Sequence, residues 1–504
     1  MDTRALLGID IGTSSTKACL LSPSGSVLGI GASEYAISSP QPGWAEQDPE
    51  TWLDAAVTAI GAALSRAGVA PDAVIGISLS GQMHGTVCMD CAGKPVRPAI
   101  IWADQRSGRQ VRAVVSQLGL RRLATWTGNP LATGFTLASW LWLKEHERRT
   151  VETTRWVLLP KDYVRYRLTG RVTSEPSDAS STSLFSPCDR AWSRTLLDEL
   201  DLDPSVLPEV HPTTSVSGGL LPEIAERMGL PTGIPVVQGA SDQAAQAVGN
   251  GVVGPGVVSS TIGTGGQLLA PVQRCAVDPH LRLHCFCHVS PGLWHLETAM
   301  LSAGLSLRWL RDSLLMGMTY DAMADAAETV APGAEGLIFL PYLVGERTPY
   351  MDPLARGGFV GLTRRHGPEH LIRAVMEGVV FGMRQGLDLM ARLGVALDFM
   401  VASGGGTRHR LWLQLQADIF GRPVRSTRSE EAAALGAAML AGVGVGVYAD
   451  VGDAVARCVT WRDRVVYPME QFAEIYARRY GNYCDLYPAL QPTLHGLGAA
   501  SREW

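Results

Sequence analysis

The feature that most constrains the fold is a short unit that occurs twice, half a chain apart. A strand pattern, a turn of small residues and a second strand pattern follow one another at 5–21 and again at 257–270. Asp10-Ile-Gly-Thr-Ser in the first copy corresponds to Thr261-Ile-Gly-Thr-Gly in the second. Each copy predicts a β-hairpin with a tight turn. A repeat of this size indicates two similar domains whose hairpin turns face one cleft.

Strand and helix patterns alternate in both halves, which predicts an α/β fold for each domain. In the first half, a helical pattern at 49–67 precedes a buried-strand pattern at 74–79. In the second half, a strand pattern at 399–403 precedes a helical pattern at 412–420. The predicted organisation is a first domain over residues 1–248, a second over 249–485 and a C-terminal tail over 486–504.

Length and composition favour an ordinary globular protein that acts on a small molecule. The chain has 504 residues, of which 46% are hydrophobic and 18% charged, so that it can bury more than one core. Its net charge of -5 gives no basic field for phosphate backbones or anionic lipid. We therefore expect neither a nucleic-acid partner nor a membrane partner.

The nine cysteines and the apolar segments indicate a cytoplasmic protein. The cysteines are odd in number and thinly spread, and the N-terminus has no charged-then-apolar leader. Residues 432–449 carry no charge, but their glycines and alanines predict a buried helix rather than a membrane span. The spacings Cys88-x-x-Cys91 and His284-Cys-Phe-Cys-His288 do not predict a metal site, because the first lacks a second pair and the second alternates across a strand.

Asp10 is the first candidate for chemistry. It lies inside an apolar strand, where an unpaired carboxylate is costly unless a charge or a metal compensates it. The turn that follows offers backbone N–H groups and hydroxyls that can hold phosphate, which suits a carboxylate directed at a magnesium nucleotide. The alternative is an Asp that caps an ordinary turn. The second hairpin favours the phosphate interpretation, because two such turns can hold one polyphosphate from both domains.

Two common nucleotide motifs are excluded. Gly93-Lys94 is followed by Pro95, so the chain lacks the usual phosphate loop. The G-x-G-x-x-G pattern at 249–254 follows a helical pattern and precedes a strand, the reverse of the dinucleotide context. A dehydrogenase is therefore disfavoured, and any nucleotide is bound in another way.

Three polar loops follow predicted strands. Asp242 follows a strand and precedes a small-residue helix, so that it is either a helix cap or a general base for a substrate hydroxyl. Met83 and His84 lie in a loop between glycines, where a lone His is often structural but where substrates are also bound. The glycines of Ser403-Gly-Gly-Gly-Thr407 leave backbone bare enough to lie against a nucleoside.

These motifs resemble the FGGY carbohydrate kinases and, within them, the xylulokinases. The resemblance extends from Leu7 to about Tyr448, and its most specific part is similar to the family's second signature. The segments that carry it are Gly357-Gly-Phe-Val-Gly-Leu with His370–Glu377, Leu340–Pro349, Pro42–Pro49 and Gln82–Gly85. The resemblance implies two duplicated actin-like, ribonuclease-H-like domains that close an active-site cleft over ATP and a ketose or polyol.

The resemblance also implies residue roles. Asp242 resembles the catalytic base, and Asp10 resembles the catalytic carboxylate near Mg²⁺ and phosphate. Substrate contacts are implied for Met83, His84, Asp242 and Gln243. Contacts with ATP are implied for Gly12, Thr13, Thr264, Gly265, Gly405, Gly406 and His409. A homodimer is a further expectation at the level of the family.

The chain departs from the family pattern at three places. Ser139 stands where the first family signature usually has Lys, and Gly265 stands where xylulokinases usually have Ser. Asp242-Gln243 replaces their usual Asp-Asn and is the pair found in glycerol kinases. The added methylene of Gln243 moves an amide that would touch the sugar, so it bears on substrate choice.

The predicted activity is ATP- and Mg²⁺-dependent phosphorylation of D-xylulose to D-xylulose 5-phosphate, with Asp242 as general base. One alternative keeps the chemistry and changes the substrate to ribulose, glycerol, deoxyxylulose or another polyol. The other alternative is a non-catalytic, nucleotide-gated binding protein.

Overall fold

The computed structural model describes residues 3–500, with side chains to residue 497. Two large sheets dominate it, one built from the first half of the chain and one from the second. The strands are, in chain order, β1 Ala5–Ile11, β2 Ser15–Leu21, β3 Val27–Glu34, β4 Glu46–Gln47, β5 Val74–Gly81, β6 Val87–Met89, β7 Ala99–Ile100, β8 Trp156–Leu158, β9 Thr173–Ser174, β10 Phe185–Ser186, β11 Ala191–Trp192, β12 Glu209–Val210, β13 Val216–Gly219, β14 Pro235–Val237, β15 Ala240–Ser241, β16 Gly256–Ile262, β17 Gly266–Val272, β18 His284–Cys287, β19 Trp294–Glu297, β20 Ile338–Leu340, β21 Gly358–Val360, β22 Leu397–Gly404 and β23 Val424–Ser426.

Helices cover both sheets. They are α1 Pro49–Ala67, α2 Gly108–Thr127, α3 Thr136–His146, α4 Arg148–Thr153, α5 Pro160–Thr169, α6 Pro176–Ala179, α7 Arg194–Glu199, α8 Pro222–Met228, α9 Asp242–Gly249, α10 Gly304–Ser313, α11 Tyr320–Glu328, α12 Pro368–Arg392, α13 Arg410–Phe420, α14 Ala432–Gly444, α15 Val451–Cys458 and α16 Glu470–Ala500. The helix predicted at 49–67 coincides with α1, which begins after the cap residue Asp48 and ends at Gly68 in the left-handed conformation.

The two sheets share one plan, which confirms the predicted duplication and the α/β fold. In the first sheet, the central strand β1 is antiparallel to β2 and parallel to β5. In the second sheet, β16 is likewise antiparallel to β17 and parallel to β22. Asp10 pairs with Ser80, and Thr261 pairs with Ser403, so that the two copies of the repeat occupy equivalent positions.

Helix α14 connects the two halves, because it comes from the second half of the chain but packs on the first sheet. Its small residues form a core with Leu6, Leu21 and helix α9. The helices lie so close that a Cβ on Gly436 would be 1.9 Å from the carbonyl oxygen of Ala245. The uncharged stretch at 432–449 is thus a buried helix, as predicted. In the part of the chain from 3 to 500, no helix is both long and apolar enough to span a membrane.

A second contact between the halves lies at the outer strand β18. The side chain of Asn129 bonds to the backbone of Cys285 in both directions, at 2.9 and 3.0 Å. Nearby, Cys188 and Cys275 form a disulfide that joins the two halves covalently. The seven other cysteines, all between residues 3 and 500, are free thiols. The odd number and thin spread of the cysteines did not predict this disulfide, because a pair 87 positions apart leaves no local sequence signal.

The last helix packs on the second domain. Tyr476, Tyr483 and Tyr487 are buried in the main core of that domain. Tyr487 donates a hydrogen bond of 2.5 Å to Asp352. Residues 486–500, which we predicted to be a tail, therefore continue α16, and 501–504 lie outside the described residues. The domain boundaries themselves stay a prediction.

Candidate active site

Asp10 lies at the carboxyl end of β1, opposite Ser80 of β5. The hydroxyl of Ser80 donates a hydrogen bond of 2.6 Å to its Oδ1 atom. Burial raises the pKa of Asp10, while this bond and the Lys17 ammonium lower it. Among residues 3–500 no group donates to Oδ2, and one free carboxylate oxygen is the kind of ligand that phosphate-bound Mg²⁺ takes. No group of three or more His, Cys, Asp or Glu side chains in that range is arranged as a metal site.

The first hairpin turn is held rigidly by side chains around it. The carbonyl oxygen of Gly12 accepts a hydrogen bond of 2.6 Å from the hydroxyl of Tyr35. Thr13 accepts one at its carbonyl from Gln47, at 2.7 Å, and one at its hydroxyl from the indole of Trp102, at 2.9 Å. These bonds fix the turn before any ligand arrives, which reduces the entropic cost of binding.

The second hairpin turn and the glycine loop lie at one edge of the second sheet, because β16 and β22 are parallel and end side by side. A cavity of about 550 Å³ opens there. Four of the seven residues predicted to contact ATP line it, namely Thr264, Gly405, Gly406 and His409. Gly265 belongs to the same turn, and its carbonyl accepts from the N–H of Gly263 at 2.9 Å. Gly12 and Thr13 lie in the hairpin of the first domain.

Sequence reasoning missed the far wall of this cavity. The wall is formed by the start of α10 and the start of α11, which carry no motif of their own. Gly304 donates to the carbonyl of Gly263 at 2.9 Å, and a Cβ at this position would be 2.3 Å from that oxygen. The lining residues not predicted are Ile262, Gly263, Gly304, Leu307, Arg308, Tyr320, Asp321, Arg408 and Trp412. The glycine at 304 was the available signal, since only a residue without a side chain permits this approach.

His409 has a local structural role as well as a place in the cavity. It precedes α13, and its Nδ1 atom accepts a hydrogen bond of 3.1 Å from the N–H of Leu411. Its Nε2 atom is 3.4 Å from a carboxylate oxygen of Asp325. The ring is thus held in place at the edge of the cavity.

Asp242 is the first residue of α9, and Ser241 precedes it as the cap residue. Strand β15 leads into it and runs parallel to β5, so that Ala240 and Asp10 flank Ser80 from opposite sides. Both carboxylates therefore lie at the same edge of the first sheet. Burial and the negative charge of Asp10 raise the pKa of Asp242 to about 7, although the N–H of Gln243 donates to it at 2.7 Å. Gln243 is the next residue of the helix.

Met83 is buried, and His84 has a backbone φ of 70°, which is uncommon outside glycine. The ring of His84 stacks on Phe135 with centroids 3.7 Å apart, and its Nδ1 atom is 2.6 Å from the carbonyl of Ser181. Burial lowers the pKa of His84 to about 3, so the ring is neutral and donates through Nδ1. This leaves Nε2 as an acceptor for a hydroxyl group. Ser139 is a buried residue of α3 in the same lobe.

Comparison with known proteins gives the family directly. Residues 5–249 match the N-terminal domain of the FGGY family of carbohydrate kinases, and residues 258–445 match its C-terminal domain. The chain is 38% identical to the xylulose kinase of Escherichia coli over 86% of its length and 89% of that protein. It is 31% identical to a gluconokinase of Bacillus licheniformis, covering 97% and 96% of the two chains.

The solved structures agree. A xyloylose kinase from Brucella ovis superposes with a TM-score of 0.91 at 34% identity, covering 97% of this chain and all of that one. The fold of both halves is therefore that of a carbohydrate kinase. The chain belongs to the FGGY family of carbohydrate kinases.

Proposed function

We propose that the protein phosphorylates D-xylulose at the expense of ATP, with Asp242 as the general base. The observation that carries this proposal is the position of Asp242: it lies at the sheet edge beside Asp10, with a pKa raised to about 7. A base with this pKa is half ionised near neutral pH, where proton transfer is most effective.

In the proposed reaction, the accepting hydroxyl gives its proton to the carboxylate of Asp242. The freed oxygen attacks the γ-phosphorus of ATP, and the bond between that phosphorus and the oxygen bridging to ADP breaks. The turns at Gly12–Thr13 and Thr264–Gly265 hold the phosphates, and Gly405, Gly406 and His409 hold the nucleoside. Asp10 would hold Mg²⁺, which supplies positive charge to the phosphates when bound.

The sugar is proposed to lie against Met83, His84 and Gln243, in the lobe opposite the nucleotide cavity. The neutral His84 offers an acceptor, and its rigid stacking on Phe135 fixes the direction in which that acceptor points. D-xylulose is favoured because nearly full-length relatives at 33–38% identity are named as xylulose kinases. We also propose a cytoplasmic location, because ATP is the phosphate donor.

The substrate is tested by ADP release from Mg-ATP with a panel of D-xylulose, D- and L-ribulose, 1-deoxy-D-xylulose, glycerol and D-gluconate. We expect D-xylulose to have the highest kcat/KM. A higher kcat/KM for another compound of the panel would change the assigned substrate but leave the proposed phosphoryl transfer in place. ATP binding with no sugar-stimulated ADP release would instead support a nucleotide-gated binding protein.

A further inference from the structure

A buried carboxylate that has no role above lies on the second sheet, at the end of β19. Glu297 pairs with His284 of the neighbouring antiparallel strand β18. Directly paired residues project from the same face of a sheet. The ring of His284 lies 6.5 Å from that of His84, so this face is turned across the cleft toward the loop of Met83 and His84.

The carboxylate of Glu297 is only partly satisfied. The residue is 5% exposed, and its Oε1 atom accepts one long hydrogen bond, 3.3 Å, from the amide of Gln267. Its Oε2 atom makes no hydrogen bond to any residue between 3 and 500. A buried carboxyl oxygen without a hydrogen-bond partner is costly in either protonation state, so a hydrogen-bonding group that completes it stabilises the protein when it binds.

A neighbouring ring shows what kind of group would complete it. The Nε2 atom of His295 is 3.9 Å from Oε2 and has no hydrogen-bond partner within residues 3–500 either. Burial and the neighbouring His288 and His284 hold the pKa of His295 well below its ordinary value, so the ring is neutral. Two unbonded polar atoms 3.9 Å apart can share one hydroxyl oxygen that sits to one side of the line between them, at hydrogen-bond distance from each.

Glu297 also lies within electrostatic reach of the proposed base. Burial and, secondarily, the charge of Asp242 raise its pKa to about 8, although Arg347 opposes the rise. Arg347 in turn acts on His84 and His284, which lie on the two sides of the cleft. Glu297 thus interacts electrostatically with Asp242 and Arg347, and His84 interacts with the same Arg347, which puts these groups in one neighbourhood between the domains.

We propose that Glu297 binds the sugar from the second domain and sets specificity for one of its hydroxyl groups. The inference rests on the proposed function, in which Asp242 already takes the hydroxyl that is phosphorylated. The group on Glu297 must then be a hydroxyl on another carbon. The sugar is held between His84 in the first domain and Glu297 in the second, so an epimer at that carbon loses the contact.

The test compares Glu297→Ala and Glu297→Gln with the wild type, using the best sugar of the panel. We expect Glu297→Ala to raise the KM for the sugar about tenfold or more, with the KM for ATP within about twofold. Glu297→Gln keeps the size and one acceptor, so it should recover part of the loss. The variants should also discriminate less between ketopentoses that differ in configuration at one particular carbon. A merely structural role of Glu297 would not cause a loss confined to one carbon.

The matched control is Glu377→Gln, a buried carboxyl of the same domain that bonds to Arg373, Gly333 and Tyr476 in the core. It should lower thermal stability without changing the ratio of the two KM values. If Glu297→Ala does not fold, Glu297→Asp tests the same contact with a shorter side chain. If the folded variants keep the wild-type sugar KM and epimer preference, the role of Glu297 is overturned and the proposed function still stands. A wild type that phosphorylates no sugar would overturn the proposed function and this inference with it.

Discussion

The pKa of Asp242 leads to a quantitative pH dependence. Because burial and the charge of Asp10 raise that pKa to about 7, the base is mostly protonated in mild acid. Its ionised fraction is about one tenth at pH 6 and about nine tenths at pH 8, so kcat/KM for the sugar should rise nearly tenfold across this range. An Asp with the ordinary pKa of about 3.9 would give a flat profile over the same interval.

The assay is ADP release with both Mg-ATP and the sugar well below their KM values, so that the profile from pH 5.5 to 8.5 reports the free enzyme. His84 does not titrate there, since its pKa is about 3. Glu297 and Glu346, each with a pKa of about 8, are buried carboxyls of the second domain that also titrate in this range, and Glu297 is the one that interacts with Asp242. The profile is therefore repeated with Glu297→Gln, in which the inflection near pH 7 should persist. A flat profile, or an inflection that disappears in Glu297→Gln, would refute the assignment of the rise to Asp242.

Three further substitutions test the cavity and the packing. Gly304→Ala places a methyl group 2.3 Å from the carbonyl of Gly263, so it should displace the second hairpin and raise the KM for ATP about tenfold, leaving the sugar KM unchanged. Arg408→Gln removes an exposed cation from the same cavity, so the KM for ATP should rise, and less so at high salt. Gly8→Ala places a Cβ 2.1 Å from the carbonyl of Ala434 and should cost about 1–3 kcal/mol in denaturant unfolding, whereas Gly61→Ala, with open space, should not destabilise.

Local patterns in the sequence predicted the elements that carry the site. The repeat at Asp10 and Thr261 identified both hairpins, because tight turns between apolar strands depend on neighbouring residues alone. Helix α1 was predictable for the same reason, because its cap residue, its helical periodicity and its terminal glycine all lie within one short stretch of sequence. Helix α14 was predicted as a buried helix, but not its position on the first sheet, since a uniformly apolar helix does not specify its partner.

The parts that sequence missed depend on distant contacts. Gly304 and Tyr320 belong to the cavity only because α10 and α11 fold against the second hairpin. Glu297 ends an ordinary strand pattern, and its importance appears only from its unbonded oxygen and from the approach of its strand partner His284 to His84 of the other domain. The available signal was an acidic residue within a predicted strand. We used that signal to identify Asp10 but did not apply it to Glu297.

The most direct test of the account is turnover by Asp242→Asn and Asp242→Ala beside the wild type. Each variant is tested with D-xylulose for ADP release and, separately, for binding of the sugar and of a non-hydrolysable ATP analogue. We predict a loss of kcat of about 100-fold to 10,000-fold, with both dissociation constants within about threefold of wild type. Wild-type kcat in either variant would contradict the central claim that Asp242 is the base.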